Sequence, residues 1–175
     1  LAQTILTPIS LCKDFDDSLD FEAEILEERE TDGVLFRETS FSARRTEAGR
    51  VRVYGVEVRP AGSEKLPALL LLNEANRAVD LRLAERFARR GYCVFCMDYR
   101  GKTAAEAGRC TEYPSDIDYA NFLRADRGMF HADAGAKKTP WYEWTAAAVY
   151  AVRYLRSLPL VSVVGALGVR EGGDI

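Results

Sequence analysis

The spacing of apolar positions changes character along this chain, and each change marks a different kind of element. The first twenty residues are mixed and carry Asp14, Asp16, Asp17 and Asp20. They lack the glycine and the terminal glutamate of a calcium-binding loop, so a surface lead-in is expected. From there the chain alternates. Residues 21–30 are acidic and fit a strand or a short helix, while Val34–Arg45 and 51–59 read as two strands around a turn at 46–49. Within the second of these, Val51 and Val53 share one face and Tyr54, Val56 and Val58 the other. A switch of face near Gly55 implies a bulge or a strand covered on both sides.

Beyond a polar loop at 60–65 the alternation gives way to continuous apolar runs. Pro67 to Leu72 is apolar throughout, as expected of a strand buried on both faces of a parallel sheet. Asn73-Glu74-Ala75-Asn76 ends it. A helix follows with Val79, Leu83, Phe87 and Ala88 as its apolar stripe, Arg82, Glu85, Arg86 and Arg89 as its wet face, and Gly91 as its stop. Residues 92–98 form the next buried strand, and 102–138 a long polar excursion of little periodicity. Thr139 and Pro140 open a second helix as N-cap and first-turn proline. Trp141, Trp144, Ala148, Val152 and Leu155 should line its buried side, with Tyr142 facing outward. After Pro159 comes the stretch 160–175, a β-branched run from Val161 to Val164 that breaks into Gly165, Gly168, Gly172 and Gly173. Strand and helix alternation after a β-rich beginning predicts an α/β fold: a mostly parallel sheet flanked by helices, with antiparallel N-terminal strands. The expected organisation is one domain over 1–175, with 1–50 as lead-in and 51–175 as core.

Composition narrows the function classes. A net charge of −3 and a pI near 5.4 give no electrostatic case for nucleic acid or an anionic membrane. The longest apolar stretches fall short of the roughly 18 residues that span a bilayer, and the first ten residues lack a basic signal region. Four cysteines, Cys12, Cys93, Cys96 and Cys110, are too few and scattered for a disulfide scaffold. Cys93 and Cys96 form a C-x-x-C, yet residues three apart on a strand point to opposite faces, and no second ligand pair exists for zinc. Core thiols, no metal, no cofactor and a reducing cytoplasmic setting are the expectation.

Candidate chemistry concentrates at the glycine-rich end. Gly168-Val169-Arg170-Glu171-Gly172 has the spacing of the G-x-S-x-G elbow, in which a sharp turn after a strand lifts a serine above the sheet. Arg170 occupies the serine position, and an arginine has no nucleophilic oxygen. Four blocks together make the chain resemble the α/β-hydrolase superfamily, in particular its acetyl xylan esterase and dienelactone hydrolase branch. They are 54–62 leading into Pro67–Leu72, 84–92, Asp98-Tyr99-Arg100-Gly101, and 141–159 running into the elbow. The resemblance covers about residues 50 to 175, the N-terminal part of such an enzyme, and it implies ester hydrolase chemistry. In the family the acid and histidine of the triad lie on strands further along than these residues reach, so neither is expected within 1–175. The family's oxyanion hole would map onto the backbone of Glu171 and of the loop at Glu74 and Ala75. That loop usually begins His-Gly, and here it reads Asn73-Glu74. A carboxylate there would repel a developing oxyanion.

The expectation is therefore a hydrolase-like protein without hydrolase activity in this form. The alternatives are a carboxylic ester hydrolase completed by residues outside the chain and a non-enzymatic binding module. Arg170 with the N–H groups near Gly172 could hold a small carboxylate, a phosphate or an ester ligand, or Arg170 could pair with Glu74. A set of Cys110, His131 and Asp133 is conceivable but lies in one irregular segment. The aromatic group Trp141, Tyr142 and Trp144 is expected to pack rather than bind sugar, and the glycines do not spell a dinucleotide loop. An elbow strand lacking a further neighbour would leave an apolar edge, from which a homo-oligomer is expected.

Overall fold

The computed structural model describes residues 7–13, 15–16, 18–62, 65–74, 79–101, 108–117 and 135–175. A short helix α1 (Pro8–Cys12) precedes β1 (Glu24–Thr31), β2 (Val34–Arg45), β3 (Arg50–Pro60), β4 (Leu66–Leu72), α2 (Leu81–Ala88) and β5 (Cys93–Asp98). Then come α3 (Pro140–Ser157), β6 (Val161–Gly168) and a single 3-10 turn at Arg170–Gly173. The strands form one six-stranded sheet in the order β1-β2-β3-β5-β4-β6.

The sheet is mixed, and its hand-over follows from the connections. β1, β2, β3 and β5 pair antiparallel, whereas β4 pairs parallel with both β5 and β6. Parallel pairing is thus confined to β5-β4-β6, the stretch built by helical crossovers, and where a mostly parallel sheet was expected three of the five strand pairings are antiparallel. Residues 21–30, ambiguous between strand and helix, are decided by their turn. Asp32 and Gly33 have φ of 52° and 71°, the paired positive values of a tight hairpin whose twist suits its strands.

Two apolar layers close over the two faces. One packs Phe41, Val51, Val53, Leu70, Phe95 and Met97 beneath Tyr150, Tyr154 and Leu155 of α3. The other packs Val34, Val56, Val58, Leu71 and Val94 beneath Ala84 and Ala88 of α2. Leu70 and Leu71, neighbours in sequence, are each 1% exposed, which only two-sided coverage allows. The same applies to β3. Its pairing with β2 and β5 is regular through Gly55, so the change of face there is two-sided burial and no bulge. A Cβ on Gly55 would lie 2.5 Å from the Phe95 ring, which explains the glycine. Cys93 falls in the α3 layer and Cys96 in the α2 layer, and burial pushes both thiols up to about 12.

α3 differs from its expected facing. Trp144 and Leu155 are buried, but so is Tyr142, at 4% exposure, while Trp141 is only partly covered. The cause lies in the described part of the lead-in, where Leu11 and Phe15 are buried and not on a loose surface. Phe15 packs its ring at a tilt against Tyr142 and Tyr150, the Tyr142 hydroxyl donates to the Leu11 carbonyl, and the Asp16 N–H donates to the Tyr150 oxygen. A helix pressed between a sheet and a chain segment buries more than one stripe.

Candidate functional site

β4, β5 and β6 run the same way, so their carboxyl ends gather three turns along one edge. In open α/β sheets this edge is where ligands and catalytic groups collect. The turn after β6 is an elbow in its backbone. Arg170 has φ of 52°, in the left-handed region that non-glycine residues seldom occupy. A Cβ on Gly168 would lie 2.3 Å from the Gly172 oxygen, and one on Gly172 would lie 2.3 Å from the Leu72 oxygen. Those neighbours are main chain and cannot step aside. Both glycines of the 168–172 pattern are therefore demanded by the turn itself.

Backbone bonds fix this elbow to β4. The Val169 N–H donates to the Leu72 carbonyl at 2.9 Å, and the Gly172 N–H donates to the Val169 carbonyl at 3.0 Å. Trp141 of α3 donates its indole N–H to the Asp174 carbonyl at 2.8 Å, pinning the far side of the turn. The residue lifted by the elbow reaches sideways: Arg170 Nη1 lies 3.1 Å from Glu74 Oε2. The Arg170 side chain is 75% exposed and that of Glu74 23% exposed, so the pair sits at the mouth of the edge. An exposed pair of this kind contributes little to stability. Its consequence is chemical: a salt bridge stands between the elbow and the loop after β4.

The remaining edge is built from β4 and β5. Asn73 is 4% exposed and donates its side-chain amide to Cys96 Sγ, while the Tyr99 hydroxyl donates to the Asn73 carbonyl at 2.7 Å. Asp98, 1% exposed, accepts from the N–H groups of Thr111, Arg100 and Gly101. Burial pushes its carboxyl up to about 6, against the pull of those donors and of the Arg100 charge. The Thr111 hydroxyl closes the network onto the Asp98 carbonyl.

The sequence candidates divide accordingly. Arg170, Glu74, Glu171 and Gly172 come together at this edge. Ala75, His131 and Asp133 lie outside the described residues. Cys110 is partly buried and lines a cavity of about 210 Å3 with Tyr54, Arg52 and Glu112, at a part of the sheet bordered by β1. A larger cavity of about 580 Å3 lies between the β2–β3 turn and the start of α3. Its walls include Arg44, Asp116, Lys138 and Glu143, with no residue of the elbow among them. Arg44 holds the buried Glu143 through two contacts, Nε–Oε2 at 3.2 Å and Nη2–Oε1 at 2.5 Å. Among the described residues no group of three or more His, Cys, Asp or Glu side chains is placed to hold a metal ion, and no helix is long and apolar enough to cross a membrane.

A mixed six-stranded sheet with helices on both faces and a glycine-framed turn after β6 is an architecture that this chain shares with solved esterase structures. Acetyl xylan esterase 1 from Thermoanaerobacterium sp. JW/SL YS485 superposes with a TM-score of 0.70 at 17% identity, covering 93% of this chain and 49% of that one. The acetyl xylan esterase from Paenibacillus sp. R4 gives 0.58 at 15% identity, covering 91% and 48%. A dienelactone hydrolase-like promiscuous phosphotriesterase from metagenomic libraries gives 0.50 at 21% identity, covering 81% and 51%. At these identities the likeness concerns the fold. The chain spans about half the length of these structures. No protein-family model matches it, and no curated protein does.

Proposed function

We propose that this chain is an α/β-hydrolase-fold protein in which the elbow carries no acyl-transfer chemistry. One observation supports this above all: the position that the elbow lifts is Arg170, engaged with Glu74. Acyl transfer at an elbow needs an oxygen or sulfur nucleophile there and N–H donors aimed at the developing oxyanion. A guanidinium offers no electron pair for attack. The Glu74 carboxylate, beside the loop that would supply one donor, opposes negative charge at that place. In this reading the edge serves as a scaffold or as a site for a small carboxylate or ester ligand, which must displace Glu74 from Arg170. Cys93 and Cys96 are thiols deep in the core, which fits a reducing cytoplasmic setting. Nucleic acid and membrane are not part of the reading.

The test is ester turnover with p-nitrophenyl acetate beside an Arg170→Ala control, with a fluorophosphonate label read by mass spectrometry. No turnover above the control and no adduct are expected. A thermal screen against acetate, succinate and phosphate addresses the ligand: a rise in Tm that Arg170→Ala abolishes would assign the anion site, and a flat screen would remove it. A second reading is a carboxylic ester hydrolase whose nucleophile lies elsewhere, in the undescribed segments or in sequence beyond these residues. The acetyl xylan esterases among the structural neighbours favour it. Turnover accompanied by one labelled residue would establish that reading and identify the nucleophile.

A further inference from the structure

The cavity of about 580 Å3 stands apart from the elbow. Its walls come from the end of β2, the β2–β3 turn, the loop at Asp116, the short turn Ala136–Lys138 and the start of α3. In the sheet, β5 and β4 separate β2 and β3 from β6. Basic side chains line the cavity in two adjacent pairs, Arg44 with Arg45 and Lys137 with Lys138. A bulge puts the first pair there. Ser42 stands opposite Arg52 and Arg45 opposite Arg50, so β2 has one residue more than β3 in that interval. Phe41 and Ala43 face the α3 layer, and unbroken alternation would send Arg44 to the other face. Instead Arg44 binds Glu143 of α3 through Nε and Nη2, with its guanidinium carbon 5.7 Å from the Tyr142 ring centroid. Bulges recur beside functional sites because they re-aim a side chain in this way.

We propose that this cavity binds a small phosphomonoester. The protein itself already engages most of the acids in the wall. Both Glu143 carboxylate oxygens accept from Arg44. Asp116 accepts from the Thr46 hydroxyl and from the N–H groups of Glu47 and Ala48. The remaining lining acid, Glu47, is exposed at the turn. Facing it are Arg45, Lys137, Lys138 and the N–H donors of Arg44 that Glu143 does not use, so the wall favours an anion in a chain whose net charge is −3. Cations on two walls select the shape of that anion. A phosphate monoester presents its terminal oxygens tetrahedrally, so the arginine pair can fork onto it from one wall while a lysine reaches it from another. A carboxylate is planar and suits one wall at a time. Ile117 and Tyr142 supply the apolar part of the lining, where the organic part of the ligand packs. The volume lies within the roughly 300–1,000 Å3 usual for small-molecule sites.

Calorimetric titration of the 175-residue chain with phenyl phosphate, in a phosphate-free buffer at physiological ionic strength, tests this, with phenol as the uncharged comparison. Arg45→Ala and Lys138→Ala change exposed side chains, so each variant should fold, and circular dichroism verifies that. The expected result is saturable binding of phenyl phosphate, none of phenol, and a Kd about tenfold or more higher in each variant. Arg170→Ala at the elbow and Arg86→Ala on α2 remove exposed cations outside the cavity and should leave the Kd unchanged. An absence of binding at millimolar phenyl phosphate, or binding that phenol matches, would overturn the proposal. So would a Kd indifferent to both Arg45→Ala and Lys138→Ala, or one raised as much by Arg170→Ala or Arg86→Ala.

Discussion

The turns that leave β5 and β6 start from the same edge of the same sheet and are held in opposite ways. After β5 the fixed point is a side chain: Asp98 sits in the core and gathers three backbone N–H groups. After β6 the fixed points are absences of side chains: Gly168 and Gly172 leave room for main chain against main chain, while Arg170 between them is largely exposed and reaches only Glu74. The first turn depends on what residue 98 is. The second depends on what 168 and 172 are not, and residue 170 is left open to chemistry rather than stability. The shape of the turn is thus set by its two glycines and not by the residue at 170.

Substitutions should sort along this contrast. Gly172→Ala drives a methyl into the Leu72 and Asn73 carbonyls and should cost about 3 kcal/mol, read as a fall in the urea midpoint at unchanged slope. Gly168→Ala should behave alike. A mild effect of either would mean that the elbow is looser than its backbone bonds indicate.

Asp98→Asn comes next, and its mark is a pH profile. The folded carboxyl titrates near 6, above its reference of 3.8, so between those values the native state holds a proton that the unfolded chain has released. The group's contribution is complete below about pH 4 and is lost as pH rises through 6, by about 3 kcal/mol in the limit of that shift. Asp16 and Asp116 have lowered values and act in the opposite sense, so the useful quantity is wild type minus variant. That difference should fall from pH 4 to pH 7. A flat difference would deny Asp98 its buried character. The smallest effect belongs to Arg170→Ala, under about 0.5 kcal/mol in urea unfolding, because its ion pair is exposed. A loss above 2 kcal/mol would show that Arg170 carries structure and would erase the contrast between the two turns.

The fold was legible where periodicity and punctuation coincide. Val34–Arg45 was delimited by its apolar positions, and the start of α3 by Thr139 and Pro140, whose N-cap bond to the Tyr142 N–H is present. The assignment of 21–30 stayed open although Asp32-Gly33, the hairpin dipeptide, could have closed it. Tyr142 could not be oriented from its own helix, because the lead-in that buries it carries no pattern linking Leu11 and Phe15 to residue 142. At the edge, the elbow spacing and the nearness of Arg170 to Glu74 were readable. The clamps were not: Tyr99 and Trp141 reach backbone carbonyls, and a backbone acceptor leaves no trace in sequence.

Intact-mass spectrometry after incubation with a fluorophosphonate, run beside p-nitrophenyl acetate turnover, tests the central claim most directly. If Arg170 has closed the elbow to acyl transfer, the 19.5 kDa mass stays unchanged and turnover equals that of the Arg170→Ala control. A single covalent adduct with turnover above that control would contradict the account and place a working nucleophile elsewhere in the chain.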